Sequence, residues 1–458
     1  MEERKKTFIF GGVAIVLLLL AFITTPRTKT PNAFLDQGEL FFPNFTDPNQ
    51  ATTLEVIDWD EETGQALPFK VEFKNGKWTI PSHHDYPADG KDRLAKTAAG
   101  VIDIRKDDFR TDNPEEYEAC GVIDPLDQTA TSLKGRGKRV TLKAENDKVL
   151  ADFIIGKKVE GRDGFRFVRV PSQKRVYVVR MNIDISTKFS DWIESDLLKV
   201  NKDDIEQVIL KDYSINENAG TVNQRDVLDL KKNGTKWVAN KMAANQEVDD
   251  TKMKDLLTAL DELSIVGVRP KPAGLSQSLS NMNKEGIHLG QADMVSLQRK
   301  GYYFTRNGQL LSNEGETQVR TVDGVIYTLR FGEVVYGSGV DVSAGAKSNA
   351  NKDAGPGENR YLFITTEFNP SEFKEPPKPK NTGFETKADS LWSDADKENK
   401  KLNDAHKEWQ NKMDKGQKLS QELNERFANW YYVISAERFD KINQKRKDLL
   451  KKKEEKKS

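Results

Sequence analysis

The sequence predicts an α+β protein: an N-terminal transmembrane helix, two duplicated antiparallel-sheet lobes with a helix each, and a long helical insertion in the second lobe. Three observations predict this. Residues Phe8 to Ile23 read FIFGGVAIVLLLLAFI, an uncharged run in an otherwise polar chain. A block holding an Asn-Gly hairpin and a tryptophan occurs twice, near Phe69 and near Val227. A charged segment with apolar residues at steps near three and four fills Lys387 to Trp430.

The apolar run with its flanking threonines spans residues 7–25. As a helix it is ~28 Å long, close to the ~30 Å hydrocarbon core of a bilayer. Ala21-Phe22-Ile23-Thr24-Thr25-Pro26 offers no small-x-small cleavage site, and the one cysteine, Cys120, is far from it. An uncleaved anchor is therefore expected rather than a removed signal peptide. Phe8, Val13, Ile15, Leu18 and Phe22 are the residues expected in lipid. Arg4, Lys5 and Lys6 precede the run, against Arg27 and Lys29 after it. That bias puts residues 1–6 inside and, beyond a linker at 26–49, the bulk of the chain outside the cytoplasmic (inner) membrane.

Of the 458 residues, 36% are hydrophobic and 31% charged. Lys plus Arg and Asp plus Glu balance at 72 each, so no global field points toward nucleic acid. A single cysteine excludes an internal disulfide framework, and the lobes must stand on ordinary cores.

Lobe one is expected at 50–200 and lobe two at 203–450. FKVEFKNGKWTI near Phe69 and VLDLKKNGTKWVA near Val227 each read as strand, Asn-Gly turn and strand with Trp78 or Trp237. Asp89 and Asp249 follow as helix caps. The second helix is the clearer, with Met253, Leu256, Leu257, Leu260 and Leu263 at helical spacing. Arg139–Gly156 then resembles Gln318–Gly332, Phe165–Val170 resembles Arg360–Phe368, and Val176–Arg180 resembles Trp430–Ser435. Leu54–Ile57 pairs with Gln207–Leu210 upstream. Four matched blocks in one order speak for duplication.

Lobe two carries extras. Residues 337–358 are Gly, Ser, Ala and Asn-rich and read as a mobile loop. Lys374–Lys380, KEPPKPK, is a stiff spacer. The helical insertion at 383–428 presents Leu402, Ala405, Trp409, Met413, Leu423, Phe427 and Trp430, with a bend expected at Gly416. Its stripe packs on its own lobe or meets a partner. Trp409, Met413, Leu423 and Phe427 are the candidate partner contacts. A basic tail closes the chain at 451–458.

These blocks resemble the bacterial domain-of-unknown-function family DUF4340. The resembling pieces are Trp78-Thr79-Ile80 with Ala88-Asp89, FRFVRV then VYVV, DWIESDLL at Asp191–Leu198, and RFANWYYVISAERFDKI at Arg426–Ile442. The resemblance implies an extracytoplasmic protein held by an N-terminal helix, serving an ABC-type transporter or a gliding-motility-like system. It transfers no functional residues.

The chemistry-bearing residues are sparse. His83-His84-Asp85 with Asp89 is the nearest approach to a metal cluster, yet adjacent histidines on an extended chain point apart. Cys120 has no histidine nearby in sequence, and Gly135-Arg136-Gly137-Lys138-Arg139 lacks the phosphate-loop pattern. Tyr302-Tyr303-Phe304 and Trp430-Tyr431-Tyr432 read as core strands. No catalytic residue, metal or cofactor is expected. The reading is a non-enzymatic accessory or scaffold protein in contact with the membrane and with transporter or motility subunits. A ligand-binding module for a glycan, lipid or peptide in an interlobe cleft is the alternative, followed by an envelope hydrolase.

Overall fold

The structure is a computed structural model that describes residues 13–17, 20, 36–183, 185–216, 219–280, 288–305, 308–337, 342–344 and 358–453. It is α+β, with two large antiparallel sheets and a helical C-terminal region.

The first sheet uses β1 (Thr53–Asp60), β2 (Gln65–Lys74), β3 (Lys77–Ile80), β4 (Tyr86–Pro87), β5 (Asp108–Thr111), β6 (Lys138–Lys143), β7 (Val149–Lys158), β8 (Phe165–Arg169) and β9 (Val176–Arg180). Its order is β4-β3-β2-β1-β6-β7-β8-β9-β5. The second draws on β10 (Ile205–Asn216), β11 (Thr221–Asn233), β12 (Lys236–Ala239), β14 (Gly267–Pro270), β17 (Glu316–Thr321), β18 (Val325–Val335), β19 (Asn359–Phe368) and β20 (Trp430–Ile434). Its order is β12-β11-β10-β17-β18-β19-β20-β14. Omitting β4, the two orders superimpose strand for strand. β13 (Gln246–Val248) pairs with β21 (Leu450–Lys452), and β15 (Tyr302–Phe304) with β16 (Leu310–Ser312).

Local chemistry explains the hairpins. Asn75 (φ 53°) and Gly76 (φ 75°) form the two-residue turn between β2 and β3, both in the left-handed region. In the second copy the register slips by one: Asn233 pairs with Lys236, and Gly234 (φ 61°) opens the turn. Helix Lys91–Ile102 buries Leu94, Thr97, Ala98 and Val101. Helix Asp250–Asp261 buries Met253, Leu256, Ala259 and Leu260, while Leu257 stays half-buried. Asp249 caps the second helix, accepting from the amides of Thr251 (3.0 Å) and Lys252 (3.2 Å).

The chain divides into two compact units, residues 1–67 with 94–185, and residues 68–93 with 186–458. The expected lobe boundaries differ in two stretches, 68–93 and 186–200. The reason is an aromatic cluster inside the second unit. His83 stacks on Phe189 at 4.6 Å, Phe69 lies 6.0 Å from Trp192, and Tyr86 meets Trp430 at 5.0 Å. Arg426 Nη2 also donates to Asp196 O (3.0 Å).

The N-terminal anchor falls largely outside the described residues, and Phe8, Leu18 and Phe22 are among those not described. Val13–Leu17 and Leu20 are helical and exposed, with Val13, Ile15, Val16, Leu17 and Leu20 at least half exposed. Among the described residues no helix is long and apolar enough to cross a membrane. The glycine-rich loop at 337–358 and the end of the basic tail also lie mostly outside them.

Replacing Asp249 with Ala removes the cap. Chemical denaturation is expected to show a loss of about 1 kcal/mol, with an unchanged far-ultraviolet spectrum.

Candidate functional site

The insertion between β19 and β20 is one uninterrupted helix, Asp394–Ala428, of 35 residues. β8 and β9, the corresponding strands of the first sheet, are joined without such an arm. Ser393 opens the helix with a capping box, its Oγ accepting from Asp396 N (3.2 Å) while Asp396 accepts from Ser393 N (3.0 Å). Gly416 does not bend the helix. A Cβ there would stand 2.4 Å from both Asp323 O and the Phe368 ring, so glycine permits close approach of helix and sheet.

The C-terminal half of the arm docks on an uncovered strand edge. β19 runs from Asn359 to Phe368, but β20 pairs only with Arg360–Leu362. Beyond Leu362 the backbone of β19 needs other partners on that side. Asn424 supplies them. Its Oδ1 accepts from Thr366 N (2.8 Å) and its Nδ2 donates to Thr366 O (2.7 Å), as a neighbouring strand would. Thr366 Oγ1 donates to Ser420 O (2.9 Å). All three residues are buried.

The N-terminal half is held by the Pro/Lys spacer, which runs antiparallel to it as a strap. Trp409 Nε1 donates to Phe373 O (3.1 Å), His406 Nε2 lies 3.3 Å from the Glu375 carboxylate, and Lys380 N donates to Asn399 Oδ1 (2.8 Å). Lys387 then reaches Asp396 (2.8 Å) and holds its carboxyl down at about 2. Of the four arm residues singled out as partner contacts, Trp409, Leu423 and Phe427 are engaged within the chain. Leu423 and Phe427 are buried at 3% and 1% exposure, and Trp409 and Met413 are half-buried. Lys397, Glu398, Lys401, Glu408 and Lys412 face solvent.

Lys271 is a feature no sequence pattern announced. It is buried between Phe363 (4.0 Å) and Tyr431 (5.4 Å), and its Nζ donates to Phe427 O (2.8 Å) at the end of the arm helix. Burial pushes its amine well below the ordinary lysine value. It pins the arm where the chain turns into β20. Tyr302, Tyr431 and Tyr432 are fully buried, as core strands require.

The two histidines are both engaged by polar groups of the chain. His83 Nδ1 lies 2.9 Å from Ser82 Oγ and its Nε2 2.9 Å from Ser343 Oγ. His84, at φ 60°, donates from Nε2 to Ala344 O (2.8 Å). Both rings therefore clasp the short stretch 342–344. Among the described residues no three His, Cys, Asp or Glu side chains stand together for a metal ion. Asp89 uses its amide, donating to Trp192 O (2.8 Å). Cys120 is buried, which raises its thiol above the ordinary value. In the glycine turn at 135–137, Arg136 stacks on Trp59 (4.4 Å) and donates to the carbonyls of Asp124, Asp127 and Ala130. That turn closes a loop rather than cradling phosphate.

Residues 78–278 match the family model described as Domain of unknown function (DUF4340), the family these motifs resemble. The match begins at Trp78 and ends inside helix Ala273–Ser280, so the motif at Arg426–Ile442 lies beyond it. No curated protein and no solved structure matches the chain.

Replacing Asn424 with Ala leaves the Thr366 amide and carbonyl buried without partners. The expected loss is about 3 kcal/mol, read from denaturant midpoints, with faster amide exchange along the arm. His83 carries a pH signature. Burial lowers its imidazole from 6.5 to about 4, so the folded state holds it neutral. The folded value is depressed, so its contribution is fully present above pH 6.5 and is lost as pH falls toward 4. That component is at most about 3 kcal/mol. Stability of a His83→Asn variant, measured across this window, should fall less steeply than that of the parent.

Proposed function

We propose that the chain is a single-pass, membrane-anchored, extracytoplasmic accessory or scaffold protein without enzymatic activity, serving an ABC-type transport or gliding-motility-like system. The observation that carries this reading is the helical apolar stretch Val13–Leu17 with Leu20, in which Val13, Ile15, Val16, Leu17 and Leu20 are at least half exposed. Exposed apolar side chains clustered on a helix are unfavourable in water, and lipid would cover them. The uncharged run around it in sequence extends from Phe8 to Ile23.

The second support is the arm. A helix of 35 residues extends about 52 Å. Its apolar stripe is engaged by sheet and strap, so a partner meets its charged outer face. Tethering places that face beside membrane-embedded subunits and raises their effective concentration. The third support is the resemblance on Trp78-Thr79-Ile80 and the other quoted motifs.

Cross-linking in membranes, gentle solubilisation and mass spectrometry test the proposal. The expected result is an intact N-terminal peptide containing Phe8–Ile23 and co-purified transporter or motility subunits. Release of the chain by alkaline carbonate, or a mature terminus beyond Pro26, overturns the anchor. Recovery with no transporter or motility subunit overturns the accessory role.

A further inference from the structure

The first unit contains a pocket of about 540 Å³ whose residues play no part in the reading above. Its wall includes Tyr117, Asp124, Leu126, Asp127, Arg139 and Arg169. Arg169 is its distinctive member. This residue is only 6% exposed, and among the described residues its guanidinium bonds to carbonyls rather than to a carboxylate. Its Nε donates to Val122 O (3.1 Å), and its Nη1 to Pro171 O (3.1 Å) and Gln173 O (3.2 Å). Its carbon centre sits 4.5 Å over the Tyr117 ring. Nη2 has no acceptor among the described residues. Three carbonyl bonds and a ring thus fix a buried guanidinium in one orientation, with one nitrogen left for a guest.

The surroundings select the guest. Arg139 is saturated: it forks onto Asp152 (3.0 and 2.7 Å) and reaches Asp124 (3.0 Å). The carboxylates of Asp124 and Asp127 act on Arg169 at longer range, while burial is the larger effect and lowers its value. Thr129 holds the Asp127 carboxyl low, so it stays ionised near neutrality. Two carboxylates on the same wall offset the positive charge, and a net anion gains little there. A hydroxyl group suits the wall better, because it accepts from a guanidinium and donates to a carboxylate. Leu126, 49% exposed, adds an apolar contact for carbon–hydrogen faces. The volume lies within the ~300–1,000 Å³ range of small-molecule sites.

We propose that this pocket is a binding site for a neutral saccharide unit, with Arg169 Nη2 donating to a hydroxyl or acetamido oxygen and Asp127 accepting from a hydroxyl. The site deepens no contact of the arm. It stands whether or not the accessory role does.

The test uses the full chain in a sugar-free amine-oxide detergent. Titration calorimetry is run with N,N′-diacetylchitobiose and with cellobiose, and separately with sodium acetate, inorganic phosphate and glycine. The expected result is saturable binding of at least one disaccharide. Leu126→Trp, a change at the rim, and Arg169→Lys should each weaken it about tenfold or more. Circular dichroism checks that both variants fold; should Arg169→Lys fail, the rim variant decides alone. No saturation by either disaccharide up to about 20 mM, an affinity that Leu126→Trp leaves unchanged, or preferential binding of acetate, phosphate or glycine overturns the proposal.

Discussion

The second sheet depends on one backbone edge. β19 outruns β20 by six residues, and peptide groups left bare there would be both costly and adhesive. Asn424 and Ser420 close the gap at Thr366 from a helix rather than from a strand. Because a side-chain amide has the same donor and acceptor as a peptide, it substitutes for one rung of a ladder. Once that rung is set, the rest of the insertion is constrained. Gly416 must be small where the helix crosses Asp323, and Lys271 must reach the last carbonyls at Phe427. In the first sheet β8 is paired with β9 from Phe165 to Arg169, so no such edge exists and no arm is needed.

The two sheets share a strand order and a similar set of local choices. Each sheet uses a tight hairpin to bring a tryptophan-bearing strand back beside its partner, then a helix, capped by Asp249 in the second, then a meander of longer strands. The slip from Asn75-Gly76 to Gly234-Thr235 moves the turn by one residue. The period-two alternation on either side adjusts to keep apolar residues on the buried face, as with Leu228 and Leu230.

This explains what was legible in the sequence. Alternation, Asn-Gly and helix caps are local signals, and they located the hairpins, helix Asp250–Asp261 and the place of the insertion. Gly416 misled because a glycine that permits a bend and one that permits close approach look alike in sequence. The division at 68–93 and 186–200 was hidden because ring contacts among Phe69, His83, Phe189 and Trp192 join segments more than 100 positions apart. The Arg169 pocket was hidden for a related reason. Its walls come from 114–130, 139 and 169–171, and in a chain with 72 basic residues a buried arginine has no distinguishing mark. Lys271 is the same case: only burial separates it from the solvated lysines around it.

The strap has a mechanical consequence. It lies alongside the arm in the opposite direction and is fastened at Phe373, Glu375, Lys380 and Lys387. A pull on the far end of the helix loads these fastenings together, in shear, instead of unzipping them singly. Stiff prolines between them carry tension with little stretch. Strap and helix therefore resist being pulled apart as one braced unit.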